Sequence, residues 1–255
     1  ETALMNEGAE NVAAFIAEPI VGSSAPGRHP PDGYWRRIRE ICDRHDVIFI
    51  ADEVMSGNGR SGRWWAMQHT GVAPDMITTA KGMSSGYSPL AAVLVRNEYF
   101  EAMREVKGHF RHGHTFAGNP LSAAVGSKVI DIIARDGLLQ RVTELSGRLL
   151  AGLHARLGDH PHVGVIRGRG LLLGVEFVAD RDTRQPFPAD YDFRTRYSHA
   201  CLAEGVYIYQ GGGNVDGRRG DHALLAPPFI MTDEQVDFLI EGMSRALDRV
   251  SVELA

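Results

Sequence analysis

The sequence predicts an α/β fold, and three observations support this prediction. Short apolar runs without polar alternation recur along the first half of the chain, at 12–17, 47–51, 75–80 and 90–95. Runs of this kind are typical of strands in a parallel sheet that is covered on both faces. Stretches with helical spacing of apolar residues lie between and after them. The 255 residues, 44% of them hydrophobic, suffice for one long domain or two ordinary ones.

The helices of the first part are predicted from apolar periodicity and from their start signals. Pro31 and Asp32 form the stop-and-cap signal where the first of these helices begins, so Asp32 is expected to supply a cap. Its apolar positions share one face, namely Tyr34, Ile38, Ile41 and Cys42. Two more helices are expected at 97–107 and 120–135. Together with the apolar runs, they give the strand and helix alternation of an α/β domain.

The pattern changes after Gly137, which predicts a second domain. A long amphipathic helix follows, then two strands joined at a glycine corner, in 163–178. A helix at 192–204, short strands at 206–210 and 223–226, and a final helix over 232–250 complete the chain. Thr232 is the expected N-cap of that helix, with Glu234 and Gln235 close by. We therefore predict a large domain over residues 1–140 and a smaller α+β domain over 141–255.

Composition argues against several classes of protein. A net charge of −5 disfavours binding to nucleic acid or to a membrane surface, both of which usually need a basic excess. No apolar run reaches the roughly 18 residues of a membrane span. Cys42 and Cys201 lie in helix-like apolar patterns, which indicates reduced core thiols. With no recognisable signal peptide, the expected location is the cytoplasm.

A glycine motif, Gly57-x-Gly59-x-x-Gly62, has the spacing of a dinucleotide-binding fingerprint. That fingerprint needs its glycines directly after a strand, at the start of a helix. Here five residues separate the strand from Gly57, and two tryptophans follow the motif. The next acid, Asp75, comes only 13 residues after Gly62, whereas about 20 are needed. The motif therefore predicts a tight loop beside a ligand.

Three other residues are better candidates for chemistry. Asp52 follows one apolar run and Lys81 follows the next, and ligands of open α/β sheets bind at such strand ends. Thr115 lies in a small-residue turn that opens a helix, which suits a phosphate. Singly, Asp52 could be a loop acid that caps the next turn, and Lys81 could be a lysine that snorkels at a strand end. Together the three residues match pyridoxal phosphate, which needs a carboxylate for its ring nitrogen, an amine for its aldehyde and a phosphate site.

The ordered motifs that contain these residues resemble one family. They are AEPIVG, IADEVMSGNGRSG, PDMITTAKGMSSG, GHTFAGNP, RGRGLLLGVEF and LLAPPFIMTDEQ. In this order they resemble the class III pyridoxal-phosphate-dependent aminotransferases, the omega- or ornithine-aminotransferase-like group. The resemblance implies fold type I, with a mainly parallel sheet, helices on both faces and a smaller C-terminal α+β domain.

The resemblance also implies a role for each matching residue. Lys81 would form a Schiff base with the cofactor and later act as the proton-transfer base. Asp52 would keep the pyridine nitrogen protonated, and Val54 would pack on the ring. Thr115 would bind the cofactor phosphate in the partner subunit's site, which implies a homodimer. Glu18 would line the substrate side. The reaction would be ping-pong transamination between a small-molecule amino donor and a keto or aldehyde acceptor.

The substrate carboxylate needs a cation, for which arginine is best suited. Arg218 is the leading candidate, with its neighbour Arg219, because they lie in the glycine-rich loop before LLAPPF. A solvated loop arginine is the alternative. Arg167 and Arg169 are weaker candidates. His109, His112 and His114 lack a fourth ligand for a metal, so no metal is predicted.

Two departures from the family pattern leave alternatives open. Met55 stands where ornithine-type members carry glutamine, which weakens the case for ornithine as substrate. The family's N-terminal phosphate-binding turn and ring-stacking aromatic have no counterpart, and the start at Glu1 has the look of a start in mid-fold. A related aminomutase or decarboxylase, or a non-catalytic binding and dimerisation module, therefore remains an alternative.

Overall fold

The structure is a computed structural model that describes residues 1–106 and 112–252. The chain divides into two compact units. The first unit comprises Glu1–Pro19, Pro30–Gly59 and Arg63–Gly137. The second comprises Ile20–His29, Arg60–Gly62 and the chain from Leu138 onward. The sequence-based boundary assigned 20–29 and 60–62 to the first domain, whereas their contacts group these two short segments with the second unit.

The helices and strands have the following bounds. The first unit contains α1 (Thr2–Glu7), β1 (Ala14–Ala17), α2 (Tyr34–Arg44), β2 (Ile48–Asp52), β3 (Met76–Thr79), β4 (Ala92–Val95), α3 (Asn97–Glu105) and α4 (Pro120–Arg135). The second contains α5 (Leu138–Leu157), β5 (Val163–Arg169), β6 (Leu172–Phe177), α6 (Phe193–Ala203), β7 (Tyr209–Gly212), β8 (Asp221–Leu225) and α7 (Asp233–Val252). None of these described helices combines the length and apolar composition needed to cross a membrane.

The sheet of the first unit has the order β1-β2-β3-β4. Strands β1, β2 and β3 are parallel, as their apolar runs predict. Strand β4 instead runs antiparallel to β3, which differs from the prediction for 90–95. The reason lies in the connection. A parallel pair needs a long crossover, usually an α-helix, whereas the chain between β3 and β4 contains one short 3₁₀ turn, Lys81–Ser84.

Helix α2 covers one face of this sheet. Trp35 and Cys42 of the helix pack with Phe49 and Ala51 of β2, and the Trp35 and Phe49 rings stack at 5.6 Å. The helix starts after Gly33, whose backbone is in the left-handed region. It lacks the side-chain cap that Asp32 was expected to supply. Burial of this apolar face holds helix and sheet together.

The opposite face of the sheet also carries apolar side chains, and we call it the open face. Its central row crosses all four strands in register, through Ile16, Ile50, Met76 and Val95. Ile16 is 56% exposed and Val93, on the same face, is 58% exposed. Asp52 lies on this face too, because side chains two apart in a strand point the same way.

The sheet of the second unit has the order β5-β6-β8-β7, and all its pairs are antiparallel. Helices α5, α6 and α7 supply the rest of one continuous apolar core. The predicted glycine corner joins β5 to β6. At Gly170 the backbone has φ +60°, and a Cβ would lie 2.3 Å from the Arg60 carbonyl oxygen, so only glycine fits there.

Both cysteines are free and buried, in agreement with their prediction as core thiols. Burial raises the pKa of Cys201 to about 12. The thiol therefore stays protonated at neutral pH, and it lies beside Tyr197 in the apolar core of the second unit.

Helix α7 begins with a reciprocal cap, as predicted. The Thr232 hydroxyl accepts a hydrogen bond from the Gln235 amide at 3.3 Å, and the Gln235 side chain accepts one from the Thr232 amide at 3.0 Å. We expect Thr232→Ala to lower the free energy of unfolding by about 1 kcal/mol, measured by urea denaturation. Thr232→Ser keeps the hydroxyl and is the control. Equal stability of the two variants would contradict this role of the cap.

Candidate active site

Asp52 and Lys81 lie at the carboxyl ends of neighbouring strands. Asp52 is the last residue of β2, and Thr78 of β3 is its partner in the sheet. Lys81 follows three residues after Thr78. The Asp52 carboxylate is half-buried, and its Oδ1 accepts a hydrogen bond from the Val54 amide at 3.1 Å. The fold thus brings three of the predicted residues to one edge of the sheet.

Lys81 occupies an unusual backbone position. It is exposed, and it begins the 3₁₀ turn that follows β3 with φ +42°, in the left-handed region. For any residue other than glycine this conformation is unfavourable in free energy, and residues that adopt it are concentrated at functional sites. The neighbouring glycine loop holds the segment in place, because Asn58 Nδ2 donates to Thr79 Oγ1 at 2.8 Å and to the Ala80 carbonyl at 3.3 Å.

Sequence reasoning missed Asn58. A usable signal was present, since asparagine between two glycines is typical of a turn with positive φ, and Asn58 has φ +53°. Its side chain is buried and links the glycine loop to the strand end that carries Lys81. The loop therefore positions the candidate lysine.

The glycine loop is a series of turns. After Gly62 the chain continues through bends to a short 3₁₀ turn, Ala66–His69, where a dinucleotide site would start a helix. A Cβ at Gly57 would lie 2.7 Å from the Glu53 carbonyl oxygen and 2.9 Å from the Trp65 ring. Close packing accounts for this glycine, and the geometry agrees with the tight-loop interpretation.

Thr115 lies exposed in the turn before α4. Asn119 caps that helix through its side chain, which accepts from the Ser122 amide at 3.1 Å. Helix α4 also packs against the segment after Lys81. Ser122 and Ser88 share a hydrogen bond at 2.8 Å, and Gly126 lets Leu90 approach the helix closely. The serine pair, which sequence reasoning also missed, connects the helix after Thr115 to the segment after Lys81.

Glu18 directly follows β1, whose last residue, Ala17, pairs with Ala51. It is half-buried and lies at the same sheet edge as Asp52, one strand away. The first unit therefore places Glu18, Asp52 and Lys81 at the carboxyl ends of three consecutive strands. Ligands bind at this edge in open α/β sheets.

Arg218 lies in the second unit, exposed in the turn between β7 and β8. The Asp216 carboxylate organises this turn by accepting hydrogen bonds from the backbone amides of Arg219 and Arg218, at 2.7 and 3.0 Å. The Arg219 guanidinium also donates to Asp216 at 2.7 Å. These bonds, led by that from the Arg219 amide, lower the pKa of Asp216 to about 2. The Arg219 guanidinium is thus engaged within the turn.

Two further arginines have structural contacts within the second unit. Arg167 pairs with Glu176 and donates from Nε to the Pro26 carbonyl at 3.1 Å, which attaches the 20–29 segment to the sheet. Arg60, in the glycine loop, donates to the Pro227 carbonyl at 2.6 Å. Burial lowers the pKa of Arg60 to about 10. Because Arg167 is already paired with Glu176, it is a poorer receptor for a substrate carboxylate than an exposed arginine.

The histidine cluster is only partly described. His109 lies outside the described residues, and the rings of His112 and His114 contact each other edge to face at 5.1 Å. Among residues 1–106 and 112–252 no group of three or more potential ligands comes together. The absence of a metal stays a prediction.

Residues 2–247 match the family model described as Aminotransferase class-III. The chain belongs to the class III aminotransferases. It is 37% identical over 251 residues to the putrescine–pyruvate aminotransferase of Pseudomonas aeruginosa, and the aligned region covers 98% of this chain and 53% of that protein. It is 36% identical to the vanillin aminotransferase of Capsicum frutescens, over 97% of this chain and 52% of the other.

Solved structures agree with this assignment. A transaminase from the marine bacterium Virgibacillus superimposes with a TM-score of 0.93 at 35% identity, over 100% of this chain and 56% of that one. A second match is an (S)-enantioselective omega-transaminase from Thermomicrobium roseum, with a TM-score of 0.90. The predicted fold type I class is confirmed. This class III chain spans about half the length of the relatives it matches.

Proposed function

We propose that this class III aminotransferase chain carries out transamination with pyridoxal phosphate. The observation that supports the proposal best is the placement of a carboxylate and an amine, Asp52 and Lys81, at the ends of adjacent strands. Family membership alone would not assign these positions. The amino donor is an amine or amino acid, the acceptor is a keto acid or aldehyde, and the keto product leaves before the acceptor binds.

The residues present fit the cofactor. Asp52 Oδ1 accepts a hydrogen bond from the Val54 amide. No other residue within 1–106 and 112–252 donates to this carboxylate, so Oδ2 would be able to accept from a ring N–H. Lys81 is exposed and would hold the aldehyde carbon. Thr115, with the turn before α4, would hold the phosphate, in the partner subunit of a homodimer. When bound, pyridoxal phosphate supplies an electron sink for the carbon that carries the amine.

The side chains then divide the work. Asp52 would keep a proton on the ring nitrogen of the bound cofactor by its negative charge, since a carboxylate favours a nearby cation. Lys81 Nζ takes a proton from the amine-bearing carbon of the donor and returns it when the acceptor is converted. Val54 would pack against the ring, and Glu18 would line the substrate side of the same sheet edge. Arg218 binds the carboxylate of acidic substrates, for which its planar guanidinium is suited.

The substrate class is inferred from the relatives and from Met55. The relatives include enzymes named for putrescine with pyruvate and for vanillin, so amines and aldehydes join amino acids and keto acids as candidates. Met55, in place of the glutamine of ornithine-type members, favours a donor other than ornithine. Putrescine with pyruvate is therefore a reasonable first pair to assay.

The three lysines of the chain permit a sharp test: Lys81, Lys107 and Lys128. The purified chain would be incubated with pyridoxal phosphate, reduced with borohydride and digested, and the modified peptide located by mass spectrometry. We expect the cofactor on Lys81, with loss of the adduct in Lys81→Ala. Lys128→Ala, on the exposed side of α4, is the matched control and should keep it. Modification spread over all three lysines, or none, would contradict the proposal.

The open face favours one other function. Exposed apolar residues over a sheet usually mark a surface that another polypeptide covers. Ile16 and Val93 are exposed apolar residues of this kind. A non-catalytic binding and dimerisation module is therefore the second candidate, and a folded chain that associates but never traps the cofactor would favour it. An aminomutase or decarboxylase would trap the cofactor, yet would isomerise the donor or release carbon dioxide without an acceptor.

A further inference from the structure

Glu53 is a fully buried acid next to Asp52. Its exposed fraction is 0%, although glutamate is rarely buried without partners. Burial raises the pKa of Glu53, and hydrogen bonds from Ser56, Met67 and Ala66 oppose that rise. No step of the proposed reaction uses this side chain, and Glu53 is not among the residues that the sequence motifs assign to the site.

The Glu53 carboxylate binds three donors. Oε2 accepts from the Ser56 hydroxyl at 2.6 Å and from the Ala66 amide at 3.0 Å, while Oε1 accepts from the Met67 amide at 2.8 Å. The two backbone amides approach different oxygens. A group with two acceptor oxygens is therefore required, and a carboxylate satisfies this need.

The backbone of Glu53 is fixed as well. Its amide donates to the Thr78 carbonyl of β3 at 2.9 Å, and its carbonyl accepts from the Gly57 amide at 3.0 Å. Backbone and side chain together tie the end of β2 to β3, to the glycine loop and to the 3₁₀ turn Ala66–His69. The backbone at Asp52 and Val54, which flank Glu53 and share their own hydrogen bond, can change direction only if these bonds break.

We propose that Glu53 is a positioning residue, whose buried carboxylate fixes the turn at residues 52–54 so that Asp52 faces the ring nitrogen of pyridoxal phosphate. This inference rests on the proposed function. Glu53 itself touches neither cofactor nor substrate. Its effect passes through Asp52, because a group held loosely by its surroundings loses the orientation on which its effect depends.

Glu53→Gln tests the inference. The variant keeps the shape, but its NH₂ group must face the amide of Ala66 or Met67, donor against donor. In the cofactor-loaded chain we expect borohydride still to attach the cofactor to Lys81. We expect kcat to fall about 10- to 100-fold with KM little changed, and the pH midpoint of the bound cofactor's visible absorption to shift.

A double-mutant cycle with Asp52→Asn separates positioning from general damage. If Glu53 acts through Asp52, Glu53→Gln should lower kcat less than about threefold further in the Asp52→Asn background. Thr70→Ala is the control. Thr70 donates to the Met67 carbonyl at 2.8 Å and so supports the same 3₁₀ turn without touching Glu53. It should leave both kcat and the pH midpoint near the wild-type values.

The outcomes are distinguishable. Losses that multiply in the double variant, or a Glu53→Gln spectrum that matches Thr70→Ala, would overturn the positioning role. If Glu53→Gln does not fold, Ser56→Ala takes its place, because it removes one hydrogen-bond donor and keeps the carboxylate. We then expect kcat to fall about three- to tenfold with KM little changed, and the pH midpoint to shift in the same direction. A wild-type chain that traps no cofactor on Lys81 would overturn the proposed function, and the inference with it.

Discussion

Lys81→Ala is expected to lower the rate of the amino-donor half-reaction by about 10²- to 10⁴-fold, because it removes the base that moves the proton at the donor carbon. The fold should survive, since Lys81 is exposed and lies in a short turn. The rate would be followed by the absorbance change of the bound cofactor after mixing with putrescine. Added methylamine should restore part of the rate, because it returns an amine to the vacated position.

The backbone at Lys81 provides an independent control. With φ +42°, a non-glycine residue pays about 1 to 2 kcal/mol for its left-handed conformation. Lys81→Gly should be as inactive as Lys81→Ala, yet no less stable to urea, because relief of this cost offsets the greater freedom of glycine when unfolded. Activity in either variant near that of Lys128→Ala would show that another group moves the proton.

The parts of the site that the sequence predicts are those that follow from strand ends. Apolar runs locate β2 and β3, and Asp52 and Lys81 follow them directly, so their common edge is predictable from parallel pairing alone. Their chemistry needed one more step, the match between carboxylate, amine and threonine and the demands of one cofactor. The cap at Thr232 was predictable for a similar reason, because its partner lies three residues away.

The parts that the sequence does not predict depend on contacts between distant segments. Asn58 reaches Thr79, 21 positions along the chain, and Ser88 reaches Ser122, 34 positions along. No local pattern fixes such pairs. The direction of β4 was missed because its apolar run is the same for either orientation, and only the short connection from β3 decides it.

Asp75 shows how a residue's role can differ from its motif context. Its distance from Gly62 argues against a ribose site, and the sequence assigns it no other role. In the structure its side chain is only 2% exposed, and both of its carboxylate oxygens accept hydrogen bonds. Oδ2 accepts from the Phe49 amide and from Arg39, each at 2.7 Å, and Oδ1 accepts from Arg96 at 2.9 Å. It therefore joins β2, β3 and α2 at the end of the sheet opposite to Asp52.

Asp75→Asn is expected to lower the free energy of unfolding by about 2 to 3 kcal/mol, because an NH₂ group or a neutral oxygen then faces the two guanidinium groups and the charge-assisted hydrogen bonds of Asp75 are weakened. Urea denaturation at pH 7 would measure the loss. Asp43→Asn is the matched control. Asp43 also pairs with Arg39, at 2.8 Å, but its side chain is 64% exposed, so the loss should stay below about 1 kcal/mol.

The effect of Asp75→Asn should also depend on pH. Burial raises the pKa of Asp75, but the hydrogen bonds from the Phe49 amide, Arg39 and Arg96 outweigh it and lower the pKa below its ordinary value of 3.8. In the pH range between the ordinary pKa and the lower pKa of the folded state, the unfolded chain binds more protons than the folded one. The stability that Asp75 provides is therefore lost as the pH falls through this range. The difference between wild type and Asp75→Asn should therefore be constant near neutrality and shrink below about pH 4. A difference that is unchanged down to the acid transition would mean that packing, and not the charge of Asp75, holds the two strands and the helix together.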